Sequence, residues 1–204
     1  MGYNTTTWSV DANTTQGSTD TTTQSLRGGV ALEKTFSVYE FAATQGYHHP
    51  LQHAPMEANS SSKIRIGTTT FGNSADPATS VTGINSATAS KEIVTCQWYI
   101  KDAITIDQVR FWSVTDEASS ANTVNFHIYS YDCDAGNDSD GGDLTGGSLH
   151  ANGTTETRIG YITNGTLTID DGDVAAGKSI FCFFENEDGT DDTTIQMTIH
   201  YHLT

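Results

Sequence analysis

Three histidines within six residues are the first candidates for chemistry in this sequence. His48, His49 and His53 share an irregular loop that also holds two prolines. Imidazole nitrogens at this spacing could bind a transition metal. Because no Cys or carboxylate accompanies them at a recognised ligand spacing, polar contacts at the surface or between subunits are the favoured interpretation. We therefore predict no metal centre here.

A second histidine pair lies near the end of the sequence. His200 and His202 alternate with apolar residues and are predicted to project from the same face of one strand. Paired imidazoles on a strand are also found in the metal sites of cupins, but those sites need a downstream Glu and a further His. The sequence supplies neither after His202, so a structural role is the favoured interpretation.

An acidic loop spans residues 132–147 and is rich in Asp and Gly. Carboxylate oxygens on a flexible loop are the ligands that Ca²⁺ prefers. The EF-hand pattern does not fit, because the oxygen ligands stand at the wrong intervals and the final Glu is missing. A solvated acidic turn is favoured, and a cation-binding loop is the alternative. The candidate ligands are Asp132, Asp134, Asp138, Asp140 and Asp143.

Catalytic signatures are missing from the sequence. Cys96, Cys133 and Cys182 form an odd set without a C-x-x-C spacing, and two of them lie in apolar segments, where a thiol behaves as a small hydrophobic group. The patterns G-x-S-x-G and H-E-x-x-H do not occur, nor does a phosphate-binding glycine loop before a helix. We predict that the protein is not an enzyme and needs no cofactor.

Short β-patterned segments follow one another from residue 91 to residue 204. The alternation of apolar and polar residues predicts strands over 91–100, 104–114, 123–131 and 195–201. In the second segment the apolar phase changes between Ile106 and Val109, which indicates a bulge. The third alternates cleanly and is predicted to be half-buried, whereas the nearly continuous apolar run at 178–185 predicts a central strand covered on both faces.

Turn signals separate these segments. Asn164-Gly165 is the dipeptide best suited to a type I′ hairpin turn, and Ala176-Gly177 is a further turn signal. Antiparallel strands joined by turns, without a helical period between them, predict an all-β fold. The first choice is an antiparallel jelly-roll-like β-sandwich preceded by an extended N-terminal arm. An immunoglobulin-like sandwich is the alternative, although the Cys and Trp spacing of that fold is not found.

The first ninety residues have a different composition. Residues 1–29 are predicted to form an extended polar arm, because they consist mostly of Thr, Ser, Asn, Gln, Asp and Gly. Its sizeable apolar residues are Tyr3, Trp8, Val10 and Leu26, and we expect a neighbouring subunit to hold them. Residues 30–90 are predicted to be an attachment region of strand-like segments and loops, with a strand over 30–43. Residues 91–204 form the predicted sandwich.

Charge and hydropathy exclude several classes of function. Acidic residues outnumber basic ones by 25 to 9, which gives a net charge of −16. Such a surface repels nucleic-acid phosphates and anionic lipids, so we predict neither nucleic-acid nor membrane binding. No signal peptide and no apolar run of transmembrane length is found in the sequence, so synthesis in a cytoplasm is expected.

Several stretches resemble a family of virion structural proteins from marine tailed bacteriophages. They are APMEAN at 54–59, IRIGTTTFG at 64–72, INSATASKEIVTCQWY at 84–99, ITIDQV at 104–109, NDSDGGDL at 137–144, DVAAGK at 173–178 and YHL at 201–203. These stretches spread over most of residues 54–204. The resemblance implies a virion component with a β-sandwich domain, made in the host cytoplasm.

The function expected from these features is capsid decoration. A compact sandwich with a polar arm suits a cement protein that binds the outer shell, with the major capsid protein and its own copies as partners, and a homotrimer is expected. The alternative is a tail-fibre or receptor-binding module whose loops, including 132–147, contact a host surface glycan.

Overall fold

A computed structural model describes residues 31–42, 45–53, 76–81, 95–116, 122–133, 143–157, 161–187 and 192–204. Within these ranges the chain forms eleven strands, which build two antiparallel sheets. The strands are β1 (Leu32–Ala42), β2 (His49–Pro50), β3 (Trp98–Tyr99), β4 (Ile104–Thr115), β5 (Asn122–Cys133), β6 (Leu144–Thr157), β7 (Thr163–Thr166), β8 (Thr168–Ile169), β9 (Asp173–Val174), β10 (Ser179–Asn186) and β11 (Asp192–Leu203).

The order of the strands confirms the predicted β-sandwich. The first sheet has the order β1-β11-β4-β7, with β9 also paired to β4. The second has the order β2-β10-β5-β6-β8, with β3 also paired to β10. Without the short strands β3, β8 and β9, eight strands remain. When these eight are renumbered 1 to 8 along the chain, the first sheet has the order 1-8-3-6 and the second has the order 2-7-4-5. This is the strand order of a jelly roll, whose two sheets pack face to face.

The predicted attachment region contributes two of these eight strands. β1 pairs with β11 from Leu32↔Tyr201 to Ala42↔Asp192 and forms the edge of the first sheet. β2 pairs with β10 in the second sheet. The jelly roll therefore begins at β1, while the predicted arm at residues 1–29 lies outside the described residues.

Burial in β4 and β11 follows the alternation of apolar and polar residues in the sequence, as predicted. Ile195, Met197 and Ile199 of β11 are buried, whereas Gln196 between them is exposed. In β4 the register with β11 shifts so that Asp107 is an extra residue between the pairs Gln108↔His200 and Ile106↔Tyr201. This confirms the predicted bulge, which allows the apolar residues on both sides of Asp107 to face the core.

The prediction for the central strand is confirmed by β10. All eight of its residues are buried, and it pairs with β5 on one side and with β2 and β3 on the other. Its inward-facing residues meet the first sheet across the core. There the rings of Phe111 and Phe126 pack with their centroids 4.5 Å apart, which joins β4 to β5.

β5 is buried on both faces, so the prediction of a half-buried strand was wrong. Residues 124–131 are all buried, because residues 76–81 lie across the outer face of the second sheet. The Tyr131 hydroxyl donates a hydrogen bond to the Ala78 carbonyl oxygen at 2.8 Å, and Asp76 lies beside His127 at 3.4 Å. Alternation within one strand does not reveal a covering segment that comes from a distant part of the chain.

Two local predictions also need correction. Asn164-Gly165 is not a hairpin turn but lies inside β7, where Gly165 pairs with Phe111 of β4. A Cβ at Gly165 would come within 2.8 Å of the Phe111 ring, so this glycine makes room for a core aromatic side chain.

In the segment 91–100, the described part is helical at 95–96 and forms a strand only at 98–99. The Ala176-Gly177 turn is confirmed, with Gly177 at φ +89°.

Candidate functional site

Within the described residues, the fold does not gather the three histidines of the loop into one cluster of metal-ligating side chains. His48 and His49 are buried, whereas His53 is half-buried and its Nδ1 lies 3.5 Å from the Lys34 Nζ. Burial and the Lys34 charge lower the pKa of His53. No group of three or more His, Cys, Asp or Glu side chains within the described ranges is placed to hold a metal ion.

The buried position of His48 and His49 was not expected, because surface or inter-subunit contacts were predicted. His49 packs against the rings of Phe41 and Phe184 at 4.8 and 5.6 Å. His48 lies over the second sheet, with its Nε2 3.7 Å from the Glu185 Oε2 and its ring 4.9 Å from that of His127. These contacts attach the loop to the sandwich of its own chain.

A polar network continues from Glu185 across the second sheet. The Asn125 Nδ2 donates to Glu185 Oε2 at 3.1 Å and to Glu187 Oε1 at 2.6 Å. The Thr154 hydroxyl donates to Asn125 Oδ1 at 2.6 Å. The network links β10, β5 and β6 in one row, and it satisfies polar groups in a part of the sheet where burial would otherwise destabilise them.

The second histidine pair is divided between two carboxylates. The His200 Nδ1 lies 3.2 Å from Glu33 Oε1, and the His202 Nδ1 lies 2.9 Å from Asp107 Oδ2. Glu33 belongs to β1, whereas Asp107 is the extra residue of the bulge in β4. The two imidazoles therefore take part in separate pairs that tie β11 to its neighbours, which agrees with the structural interpretation.

Only part of the acidic loop falls within the described residues. Asp132 lies at the end of β5, where its carboxylate accepts a hydrogen bond from the Lys178 Nζ at 2.7 Å. Asp143 precedes β6 and is half-buried, whereas Asp134, Asp138 and Asp140 lie outside the described residues. Cation binding by this loop stays a prediction. The proposed arm contacts Tyr3, Trp8, Val10 and Leu26 also lie outside the described ranges.

The three cysteines form no disulfide and lie in two environments. Cys96 and Cys182 are buried in the core, and Cys133 is exposed. Burial raises the pKa of the Cys182 thiol, with the neighbouring Cys96 adding to the effect. A buried thiol with a raised pKa is a poor nucleophile, which fits the interpretation of Cys96 and Cys182 as small hydrophobic groups.

An exposed apolar end is the feature that sequence reasoning missed. In the jelly-roll order, the connections β1–β2, β4–β5, β6–β7 and β10–β11 all lie at the same end of the sandwich. Four large side chains at this end are exposed to solvent: Tyr39 at 63%, Tyr47 at 39%, Tyr161 at 69% and Ile162 at 73%. We call these four residues the apolar end. The described ends of the acidic loop, Asp132 at the end of β5 and Asp143 before β6, lie at the opposite end.

Strand pairing explains why these four side chains lie at one end of the sandwich. Tyr39 and the pair Tyr161 and Ile162 belong to opposite edges of the first sheet, because β11 and β4 lie between β1 and β7. Tyr39 lies at a bulge in β1, where the register with β11 shifts between Val38 and Phe41. The following residue, Glu40, has φ +45°, and its backbone N–H donates to the Thr194 hydroxyl at 3.1 Å. Tyr161 and Ile162 directly precede β7. The signal available in the sequence was this pair of large apolar residues directly before a short polar segment.

Polar groups surround the apolar end. Glu40 accepts a hydrogen bond from the Tyr39 side chain and raises the pKa of Tyr39. Near Tyr47, the Gly46 N–H donates to the Asn186 carbonyl oxygen at 3.1 Å, and the Gln45 Nε2 donates to the Glu187 carbonyl oxygen at 2.7 Å. This end of the sandwich thus combines exposed apolar side chains with polar groups, a composition that is usual for a protein-binding surface.

Among the described residues, the structure contains no helix that is both long and apolar enough to cross a membrane. No protein-family model and no curated protein matches the chain.

Proposed function

We propose that this protein is a structural component of a tailed-phage virion, namely a decoration (cement) protein that binds the outer surface of the capsid. The observation that carries the proposal is the apolar end, where three tyrosines and an isoleucine are exposed on one end of the sandwich. The major capsid protein is the proposed partner, the virion is the proposed location, and the protein acts without catalysis or cofactor.

The composition of the apolar end favours a protein partner. Tyrosine is enriched in protein interfaces because its ring supplies apolar area while its hydroxyl can hydrogen-bond. Glu40, which accepts a hydrogen bond from Tyr39, places a carboxylate beside the apolar side chains. This carboxylate favours a partner with basic or neutral groups around an apolar recess, and it disfavours pairing of the end with another acidic surface.

The fold and the sequence resemblance support the same proposal. Jelly rolls occur in viral capsid proteins, although the fold alone does not assign a function. The stretches that resemble marine phage virion proteins include 104–109, 173–178 and 201–203, which lie in or beside β4, β9 and β11. They therefore belong to the framework of the sandwich, and the apolar end supplies the contact surface.

Symmetry and the arm complete the proposal. Local threefold positions of a shell suit a homotrimer, and residues 1–29 extend the contact to neighbouring shell subunits. A protein that binds only the expanded shell stabilises that shell by mass action. Light scattering of the purified protein tests the trimer, because a single species of one chain mass would exclude it.

Shell binding by variants of the apolar end tests the function. We expect the double variant Tyr161→Ser, Ile162→Ser to bind undecorated expanded capsids at least about tenfold more weakly than the wild type. The matched control is Tyr99→Ser, which removes an exposed tyrosine from β3 near the opposite end. Unchanged shell binding by the double variant would exclude the apolar end as the contact.

Deletion of residues 2–27 tests the arm separately from the apolar end. We expect lower shell occupancy at equal protein concentration, because the arm adds contact area that the sandwich lacks. Full occupancy after the deletion would remove the arm from the mechanism. The alternative function, a tail-fibre or receptor-binding module, predicts saturable capture of the isolated protein by host cells and no capture by capsids.

A further inference from the structure

The outward face of the first sheet is a polar surface in the middle of the sandwich. Residues on β7, β4, β11 and β1 that are directly paired point to the same side of the sheet. The inward residues of these strands form the core, so the outward residues face solvent. Two adjacent rows cross all four strands: Asn164, Trp112, Gln196 and Ser37 form one, and Thr166, Arg110, Thr198 and Thr35 form the other.

Trp112 is the large apolar side chain in these rows. It is 40% exposed, and its cross-strand neighbours are Asn164 on β7 and Gln196 on β11. Both neighbours are exposed. An indole between two amide side chains offers a flat apolar surface with hydrogen-bond donors and acceptors on each side. These side chains do not pack in the core, because the core lies on the other side of the sheet.

Arg110 gives the face a charge opposite to that of the whole chain. Its Nε donates to the Gln108 Oε1 at 2.9 Å, which orients the guanidinium, and within the described residues its terminal amino groups have no hydrogen-bond partner. The two rows contain no carboxylate, although the chain has a net charge of −16. In the next row, Glu33 lies beside His200 at 3.2 Å. Arg110 is thus the one charged side chain in the two rows around Trp112.

We propose that this face binds an anionic saccharide, with one sugar ring stacked on the Trp112 indole. In this arrangement Asn164 and Gln196 bind the ring hydroxyls, and Arg110 binds a carboxylate or sulfate substituent. A planar guanidinium suits such a substituent because it donates two parallel hydrogen bonds. Arg110 and Trp112 are two residues apart on one strand, about 7 Å, so adjacent parts of one sugar unit can reach both.

The chemistry of the face favours an anionic saccharide as the ligand. A sugar ring has an apolar side for the indole and hydroxyls for the amides, and its acidic substituent matches the single cation. The net charge of the chain opposes an anion at long range, but this repulsion is screened beyond about 8 Å at physiological ionic strength. The proposal goes beyond shell attachment, because it assigns a ligand of another chemical class to the outward face of the first sheet, which adjoins the apolar end.

Titration with defined saccharides tests the proposal. An oligogalacturonate, a sulfated galacto-oligosaccharide and a neutral galacto-oligosaccharide are titrated into the full chain, with binding followed by tryptophan fluorescence and calorimetry. We expect saturable binding of at least one anionic saccharide, with at least about tenfold preference over the neutral one. Inorganic sulfate is included, and equal competition by sulfate alone would overturn the role of the sugar ring.

Variants assign the individual residues. We expect Trp112→Ala to weaken anionic saccharide binding at least about tenfold, and Arg110→Gln to abolish the preference for the anionic over the neutral saccharide. The controls are Tyr99→Ala and Lys101→Gln, which remove an exposed aromatic ring and an exposed cation elsewhere. Absence of saturable binding by the wild type, or unchanged binding by Trp112→Ala, would overturn the proposal.

Capsid binding is measured with the same variants to separate the two proposals. Trp112→Ala is expected to keep full shell occupancy while it loses saccharide binding. The apolar-end variant Tyr161→Ser, Ile162→Ser is expected to lose shell binding and to keep saccharide binding. Failure of saccharide binding with intact shell binding would overturn the saccharide proposal alone.

Discussion

Substitution of Gly165 by alanine tests the packing between β4 and β7. Gly165 lies in β7 directly opposite Phe111. A Cβ at this position would lie 2.8 Å from Cζ and 3.0 Å from Cε1 of the Phe111 ring, whereas carbon atoms in good contact are about 3.5–4.0 Å apart. The ring is buried and packs against Phe126 at 4.5 Å, so it cannot move inward without displacing a second core residue.

The expected cost follows from this geometry. Adding one methyl group to a well-packed core destabilises a protein by about 1–3 kcal/mol, and the blocked movement of Phe111 places Gly165→Ala near the middle of that range. For a domain of this size each kcal/mol lowers the melting temperature by about 2–4 °C. We therefore expect a loss of about 2 kcal/mol and a melting temperature about 4–8 °C lower.

A double-mutant cycle identifies the cause of the loss. Phe111→Leu alone lowers stability by leaving a void, but it also removes the atoms with which the new methyl group collides. In urea denaturation, the double variant Gly165→Ala, Phe111→Leu should be more stable than the sum of the single changes by about 1 kcal/mol or more. Thr166→Ala, an exposed neighbour in β7, is the control. Strict additivity, or a Gly165→Ala variant within about 0.5 kcal/mol of wild type, would refute the collision.

Three further outcomes follow from the buried faces of the sandwich. Asn125→Ala should lower the free energy of unfolding by about 2–4 kcal/mol in urea denaturation, because Glu185 loses a hydrogen-bond donor in a buried network; a loss below about 0.5 kcal/mol would contradict that network. Tyr131→Phe should cost about 1 kcal/mol at neutral pH, since the hydrogen bond to the Ala78 carbonyl is lost. Because burial raises the pKa of Tyr131, the wild type should also lose stability as the pH rises above the unfolded tyrosine value of about 10, and the variant should show a smaller loss; parallel pH profiles would contradict this assignment. A thiol reagent should modify Cys133 and leave the two core cysteines unreacted until the protein unfolds; rapid modification of more than one thiol would show that the core is open.

The parts of the fold that the sequence predicts well are those in which local pattern and burial coincide. β11 has one face on the core, so its alternation at 195–199 matches its exposure. The change of phase between Ile106 and Val109 revealed the bulge at Asp107, because both apolar groups must face the same core. The continuous apolar run of β10 revealed a strand with neighbours on both sides and cover on both faces.

The failures have a common physical origin in contacts between distant segments. β5 alternates as a half-exposed strand does, yet its tyrosines and His127 are covered by residues 76–81, which are about fifty positions away in the sequence. Asn164-Gly165 has ideal turn chemistry, but the space occupied by Phe111 requires a residue without a side chain in a strand. Local preference was overridden by tertiary packing in both places.

The candidate surfaces were less accessible to sequence reasoning than the fold. The apolar end depends on which connections share an end of the sandwich, and that follows only from the strand order. The row that contains Trp112 depends on the registers of β4 with β7 and β11. Residue types alone drew attention to His48 and His49, which the fold places in the interior.

The most direct test of capsid decoration is to mix the purified full chain with undecorated expanded capsids and, separately, with host cells, and to quantify bound protein by sedimentation. The proposed function predicts saturable, stoichiometric capture by capsids that is lost in the Tyr161→Ser, Ile162→Ser variant. Capture by host cells alone would contradict it and would assign the protein to the tail.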